Sequence, residues 1–382
     1  MDVVLFFQST SRKSWRVKLA GAFRFAKERD WLVQVVEGGE SGATESSIRE
    51  ALALWRPVGC LVDRANASGS PPDRAFGALP AVYLDQDPAR PSESRPCVLH
   101  DSAATVRLAA AELLAPGTNR SSCAFVGPRR AAFWSGERAA AFREAARGQG
   151  LPFSAFEGGD LPSWLASLAR PCAILAANDC EARMVANAAR SVGLRIPEDI
   201  SLCGVDNDEL YCESGAPGIS SVEPDFASAG FRLAAMLARE IDSGGLGPVV
   251  ETYGPSRLVR RDSTRILRCG GGGGFRVRRA LEAIRAGALR ERFGVDDVAR
   301  AMGCSRRLAT LRFREATGRT ILEEILDVRF NRACELLRDT DKPVFLIVSE
   351  CGYASGAFFK RHFASRTGMT MSQWRDFARS RT

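Results

Sequence analysis

The chain has 382 residues, with 53 Lys and Arg against 45 Asp and Glu, and a formal net charge of +8. Hydrophobic residues make up 45% and charged residues 26%, ordinary values for packed domains that exclude disordered, collagen-like and coiled-coil chains. The length suggests two or three domains, and no apolar run reaches the roughly 18 residues of a membrane-spanning helix.

The opening MDVVLFFQSTSRKSW has no basic segment ahead of its short apolar run, so it reads as a strand and not a signal peptide. The expected location is therefore the cytoplasm. After the strand at 2–7, residues 14–29 place Trp15, Leu19, Ala22, Phe23 and Ala26 at helical spacing. Then come a strand at 31–36, a helix at 46–55, and strands at 59–63 and 81–85. A helix from about Asp101 to Leu114 follows, with Asp101 or Ser102 as its N-cap. A second series runs through strand 123–127, helix 136–149, strand 173–178, helix 180–193 and strand 201–206. Helix 226–242 and a strand near 249–260 complete it. Strands that are apolar throughout, alternating with helices, predict doubly wound parallel sheets. Two are expected, near 1–115 and 120–222.

In such sheets ligands bind beyond the carboxyl ends of the strands. The residues there are Gln8 and Ser9, Asn178 and Asp179, and Asp206 and Asn207. They are short polar groups suited to hydroxyl-rich ligands, and Trp15 and Trp134 could stack on the apolar face of a sugar. The run ILAANDCEARMVANAARSVGLRIPEDISLCGVDNDE resembles the sugar-sensing domain of lactose-repressor-type regulators, a fold shared with periplasmic sugar-binding proteins. The resemblance covers about 1–262. It implies sugar contacts at Asn178, Asp179, Asp206 and Arg138. Those regulators carry a helix-turn-helix ahead of the sensor. This sequence begins on a sheet strand, so a DNA-binding element is expected elsewhere.

Five consecutive glycines, Gly270 to Gly274, mark a linker that is expected to sit in no helix or strand. The expected domains are 1–262, a Gly-rich linker at 263–274, and 275–382. All the excess positive charge lies after the glycines, the pattern of a polyanion-binding module attached to a neutral domain. Residues 295–302 and 344–351 read as helices followed by a turn glycine, Gly303 or Gly352, and a capping serine, Ser305 or Ser355. In each unit a phenylalanine, Phe313 or Phe363, stands eight residues after the serine. A long helix at 321–338 joins the two units and spans roughly 27 Å, so they could enter successive major grooves about 34 Å apart. This duplicated helix-turn-helix resembles the arabinose-regulator (AraC-type) family, most specifically in CGYAS, FFKRHF and TGMTMSQWR. Exposed early positions put Arg306, Arg307 and Thr310, and Gly356, Ala357, Arg361 and His362, toward DNA. The family frame adds Leu311, a departure from its usual polar residue. Lys360, Arg312, Arg314 and Arg366 could serve phosphates. Ala309 stands where the family has a core Leu, and Leu308 could compensate.

A lactose-repressor-like sensor ahead of an AraC-type domain resembles the xylose operon regulator family. The expected fold is thus multidomain: a two-lobed α/β periplasmic-binding-protein-like sensor and an all-α domain with two helix-turn-helix units. The resemblance implies an activator of pentose catabolic genes that responds to D-xylose or a related pentose. It binds an operator in double-stranded DNA, acts with RNA polymerase and forms a homodimer, and it adds Trp134, Trp15 and Arg16 as sugar contacts. The alternatives are a repressor responding to another sugar or polyol and, remotely, a DNA-repair methyltransferase fused to an AraC-type domain. No catalytic residue, cofactor or metal site is expected. There is no G-x-G-x-x-G after the first strand and no P-loop. The eleven cysteines show no C-x-x-C spacing and read as buried thiols.

Overall fold

The computed structural model describes residues 2–37, 43–67, 72–116, 118–265, 273–353, 355–367 and 369–379. They fall into two compact units, Met1–Arg265 and Ile266–Thr382.

The first unit opens with β1 (Asp2–Phe7), α1 (Lys13–Glu28), β2 (Trp31–Val36), α2 (Glu45–Trp55) and β3 (Gly59–Asp63). A short α3 (Asp73–Phe76), β4 (Ala81–Leu84) and β5 (Cys97–His100) follow. Next come α4 (Ser102–Leu113), β6 (Ser122–Val126), α5 (Phe133–Gly148), β7 (Phe153–Phe156), α6 (Leu161–Ser167) and β8 (Cys172–Ala176). The unit continues with α7 (Asp179–Ser191), β9 (Ile200–Val205), α8 (Glu209–Cys212), β10 (Ser220–Pro224) and α9 (Phe226–Ser243). It closes with β11 (Val250–Tyr253) and β12 (Pro255–Val259). Two six-stranded sheets result, ordered β11-β5-β4-β3-β1-β2 and β12-β10-β9-β8-β6-β7. Pairing is parallel except between β10 and β12. Central strands are buried on both faces, as Val4 to Phe7 are, which is why they read as unbroken apolar runs.

The chain crosses between the lobes three times, near residues 100–102, 224–226 and 253–255. The strand expected over 249–260 is two strands: β11 pairs with β5 in one sheet and β12 with β10 in the other. The expected lobe boundaries also change. Val106, Ala109 and Leu113 of α4 pack with Phe125 and Phe142 of the second lobe, whereas Phe226, Leu233 and Leu237 of α9 pack with Val4 and Phe6 of the first. Asp101 and Asp225 each cap a helix directly after a crossing, so that helix belongs to the lobe being entered. The caps' own N–H groups bind Tyr253 O and Gly254 O at 2.8 and 3.0 Å and tie the crossings together. Helices α1 and α9 touch through glycines. A Cβ on Gly230 would stand 1.7 Å from Lys18 O, and one on Gly21 would stand 2.1 Å from Ala227 O.

The first unit runs past the expected end of the sensor. Ser263 is buried, and its hydroxyl accepts from Ser220 N at 2.8 Å, while Thr264 Oγ1 bonds Glu112 at 2.9 Å. Of the expected linker, 266–272 lies outside the described residues. The second unit begins with α10 (Gly273–Gly287), so Gly273 and Gly274 do stand in a helix. The first turn has N–H groups without intrahelical partners and tolerates glycine better than a helix interior does.

The second unit continues with α11 (Val295–Met302), α12 (Arg306–Thr317), α13 (Ile321–Asp339), α14 (Val344–Glu350), α15 (Gly356–Thr367) and α16 (Met371–Arg379). It has two cores. Phe313 is fully buried in one and Phe363 in the other. Helix α13 serves both, with Ile321 and Ile325 on the first and Phe330, Ala333 and Leu337 on the second. Gly303 and Gly352 make the two turns at φ +63° and +74°, and Ser305 and Ser355 accept from Leu308 N and Phe358 N. The ten described cysteines are free thiols, eight of them buried.

Candidate functional site

A cavity of about 500 Å³ lies within the first unit, between its lobes. Trp15, Trp134, Arg138, Asn178 and Asp206 line it together, although the chain carries them on four separate segments. Trp15 comes from α1 of the first lobe and Trp134 from α5 of the second, so each lobe contributes an indole. The Arg138 guanidinium lies 4.9 Å from the centre of the Trp134 ring, and Arg12 lies 5.3 Å from that of Trp15.

On the second lobe's wall, Arg138 is buried, its Nη1 donating to Ala177 O and its Nη2 to His100 Nδ1 at 3.3 Å. Its Nε is buried without a partner among the described residues. A guanidinium can only donate, so His100 Nδ1 is an acceptor and the ring is neutral, with its other nitrogen 2.9 Å from Thr105 Oγ1. Burial, Arg138 and Lys18 all hold His100 well below the usual imidazole range. Asp206 follows β9 at φ +105°. Its carboxylate takes no side-chain hydrogen bond among the described residues. Burial pushes it up to about 6, against the pull of Arg138, Lys18 and Arg12. Asn178 Oδ1 caps α7 by accepting from Cys180 N and Glu181 N.

The first lobe's wall was not anticipated. Lys18 is buried, with Nζ 2.9 Å from Asp63 and 2.7 Å from Asp85. Asp85 also accepts from Tyr253 OH at 2.9 Å and His100 N at 3.0 Å. Burial works against the ammonium, but Asp63 and Asp85 outweigh it and hold Lys18 well above the ordinary lysine range. Lys18, Asp85, His100 and Tyr253 all border the cavity. Glu137 borders it too, its carboxyl raised by burial.

Three expected contacts are corrected because they do not border the cavity. Ser9 Oγ bonds Ser11 Oγ at 3.2 Å within the loop after β1. Arg16 is exposed and donates to the carbonyls of Thr10 and Ser11. Asp179 points inward. Its Oδ1 accepts from Ser221 Oγ at 2.6 Å and its Oδ2 from Asp208 N at 2.7 Å. A Cβ on Gly204 would lie 2.2 Å from Asp179 Oδ1, so the glycine of Gly-x-Asp makes room for that carboxylate.

In the second unit, Arg306, Arg307 and Leu311 are exposed on α12, and Thr310 is half-buried. Arg306 pairs with Asp296 at 3.2 Å, and Thr310 Oγ1 donates to Arg306 O. Ala309 faces the core, fully buried. On α15, Gly356, Ala357, Lys360 and Arg361 are exposed, and a Cβ on Gly356 would meet nothing within 4 Å. Arg307, Lys360 and Arg361 make no ion pair among the described residues. Two expectations are corrected. His362 is half-buried, stacked on Phe358 and within 3.3 Å of Tyr353 OH, so it supports α15 and is not freely presented. Arg366 is paired with Asp327 and lies over Phe330, which takes it from the phosphate contacts.

Residues 110–264 match the periplasmic binding protein-like domain family, and residues 298–376 match a helix-turn-helix domain family. The chain is 26% identical over 298 residues to the xylose operon regulatory protein of Haemophilus influenzae, covering 73% of this chain and 74% of that one. It is 27% identical over 288 residues to the protein of the same name from Escherichia coli K12, covering 72% of each. A solved structure described as a xylose-binding transcription activator superposes over 98% of both chains with a TM-score of 0.59 at 23% identity. The class is therefore a sugar-sensing, DNA-binding transcription regulator of the AraC type, with a periplasmic-binding-protein-like sensor. Within that class the chain is similar to xylose operon regulatory proteins.

Proposed function

We propose that the chain activates pentose catabolic genes, with D-xylose or a related pentose bound in the cavity between the lobes. The observation that carries this reading is the convergence of Trp15, Trp134, Arg138, Asn178 and Asp206 on one cavity. Two indoles from opposite lobes can cover the apolar faces of a pyranose. Asp206 has acceptor capacity, and Arg138 has an unpartnered Nε–H, both suited to sugar hydroxyls. The DNA contacts are assigned to Arg306, Arg307, Thr310 and Leu311 on α12 and to Gly356, Ala357, Lys360 and Arg361 on α15. The protein works in the cytoplasm as a homodimer on a paired operator site in double-stranded DNA and recruits RNA polymerase. A thermal-shift panel of pentoses, hexoses and polyols on the full chain tests the ligand. D-xylose or another pentose should raise the first unit's melting temperature, and a shift given only by hexoses or polyols would overturn the pentose reading.

A further inference from the structure

Lys13, the first residue of α1, belongs to the first lobe but makes its bonds in the second. Its Nζ donates to Asn207 O at 2.6 Å and to both carboxylate oxygens of Glu209 at 2.8 Å. Its side chain is 22% exposed and that of Glu209 is 48% exposed, so the contact sits at the rim. The segment it grips is strained. Asp206 and Asn207 follow one another at φ +105° and +50°, and a left-handed backbone outside glycine is held only where surrounding contacts over-determine it. Two of those contacts lie inside the second lobe: Ser221 Oγ accepts from Asn207 N at 3.0 Å, and Asp179 accepts from Asp208 N at 2.7 Å. The contact with Lys13 comes from across the cleft, and rotation about the three crossings would separate Lys13 from both partners.

We propose that Lys13 is an inter-lobe latch. It engages only when the lobes meet, and in engaging it holds the turn that presents Asp206 to the cavity. Lys13 is thus a positioning residue that acts on the ligand through Asp206 and not by contact. The inference rests on the reading that the effector fills this cavity. Apparent affinity scales with the fraction of molecules in the binding-competent, closed form. Losing a charged hydrogen bond and a rim ion pair should therefore weaken binding by roughly three- to tenfold.

The test uses the full chain with K13M, K13E, E209K and the charge swap K13E/E209K. Hydrogen exchange without ligand should show the 207–212 amides opening several-fold faster in the single variants and slowing part of the way back in the swap, which restores the ion pair with position 209 but not the bond to Asn207 O. Calorimetry with D-xylose should follow the same order, and stopped-flow indole fluorescence should place the loss in the dissociation rate. A merely structural role for Lys13 would not be rescued by reversing both charges. If exchange in K13M and K13E matches the parent, or if the swap exchanges no more slowly than E209K, the latch is overturned. If the parent takes up no D-xylose while the exchange pattern holds, the ligand reading fails and the latch stands.

Discussion

The two walls of the cavity are built on opposite plans. On the first lobe, Lys18, Asp63, Asp85 and Tyr253 bond one another, and Asp85 alone accepts from Lys18, Tyr253 and the His100 backbone. On the second, Arg138 keeps a buried Nε without a partner among the described residues, and Asp206 is held on a strained turn with its carboxylate unbonded. The first wall spends its polar groups on itself and fixes the shape of the strand ends. The second leaves hydrogen-bonding capacity unspent among the described residues. The division separates changes that should damage folding from changes that should damage binding.

The largest effect is expected at Lys18. Removing one member of a buried charge network leaves the others uncompensated, which typically costs about 3–5 kcal/mol. Lys18→Met leaves Asp63 and Asp85 facing each other in a dry site, and urea unfolding of the first unit should report a loss of that size. The triple variant K18M/D63N/D85N should recover most of it. If Lys18→Met melts like the parent, the first wall is not a network and the contrast dissolves. Changes on the other wall should reverse the balance. Asp206→Ala and Arg138→Ala each remove a charged hydrogen-bonding group, worth roughly 1.5–3 kcal/mol of binding, or about a tenfold loss of sugar affinity or more. Relief of a desolvated carboxylate should leave Asp206→Ala no less stable than the parent. Calorimetry that finds unchanged affinity for both variants would move the ligand elsewhere.

The same division explains which residues the sequence revealed. Asn178 and Asp206 sit just past parallel strands, where the fold class itself predicts ligand contacts. Trp134 and Arg138 lie on the helix after β6, within a stretch of family-like sequence. Lys18 gave no local sign, because a lysine between Val17 and Leu19 on an amphipathic helix reads as solvated. Its partners lie 45 and 67 residues away. His100 and Tyr253 were hidden because β5 is only four residues long and the crossing at Gly254 looks like one continuous strand. Asp179 was an attractive candidate for the same reason as Asp206, yet its carboxylate turns into the lobe to bond Ser221. Strand-end position locates the mouth of a sheet but does not say which way a side chain points. The second unit was more legible, because its signal is a repeat: Phe313 and Phe363 fill equivalent places in two cores.

That unit allows a sharper contrast between residues spent on the fold and residues left for a partner. Arg361 is exposed on α15 and makes no ion pair among the described residues, whereas Arg366, on the same helix, is paired with Asp327. Arg361→Ala should cost about 1–3 kcal/mol of operator binding and relax selectivity at one base position if it reads a base edge. Arg366→Ala should act mainly on stability. Binding of the parent should fall steeply with salt, by several units of log K per unit of log salt concentration, as counterions are released. Anisotropy titrations that find equal operator affinity for the Arg361 variant and the parent would remove it from the interface.

The smallest effect, taken per pH unit, concerns the strand-end carboxylate that faces inward. Burial, reinforced by Asp206, pushes Asp179 up to about 8. An aspartate in the unfolded chain titrates near 4. Between these values the folded state holds a proton that the unfolded state has released, so stability falls as pH rises through the window and levels off above about 8. Asp206, raised to about 6, contributes with the same sign but is ionised by the upper part of the window. Between pH 6 and 8 Asp179 therefore contributes a falling slope with a ceiling of about 1.4 kcal/mol per pH unit for one proton, opposed below about pH 7 by His100, which is neutral in the fold while the unfolded imidazole still takes up a proton. Asp179→Asn imitates the protonated carboxyl, its oxygen accepting from Asp208 N and its amide donating to Ser221 Oγ, while removing the titration. Its melting temperature should fall less between pH 6 and 8 than the parent's, and the two curves should converge toward acid, where the parent is protonated in both states. Parallel curves across the window would mean that Asp179 is ionised in the fold, stabilised by Ser221 and the Asp208 amide beyond what its burial opposes.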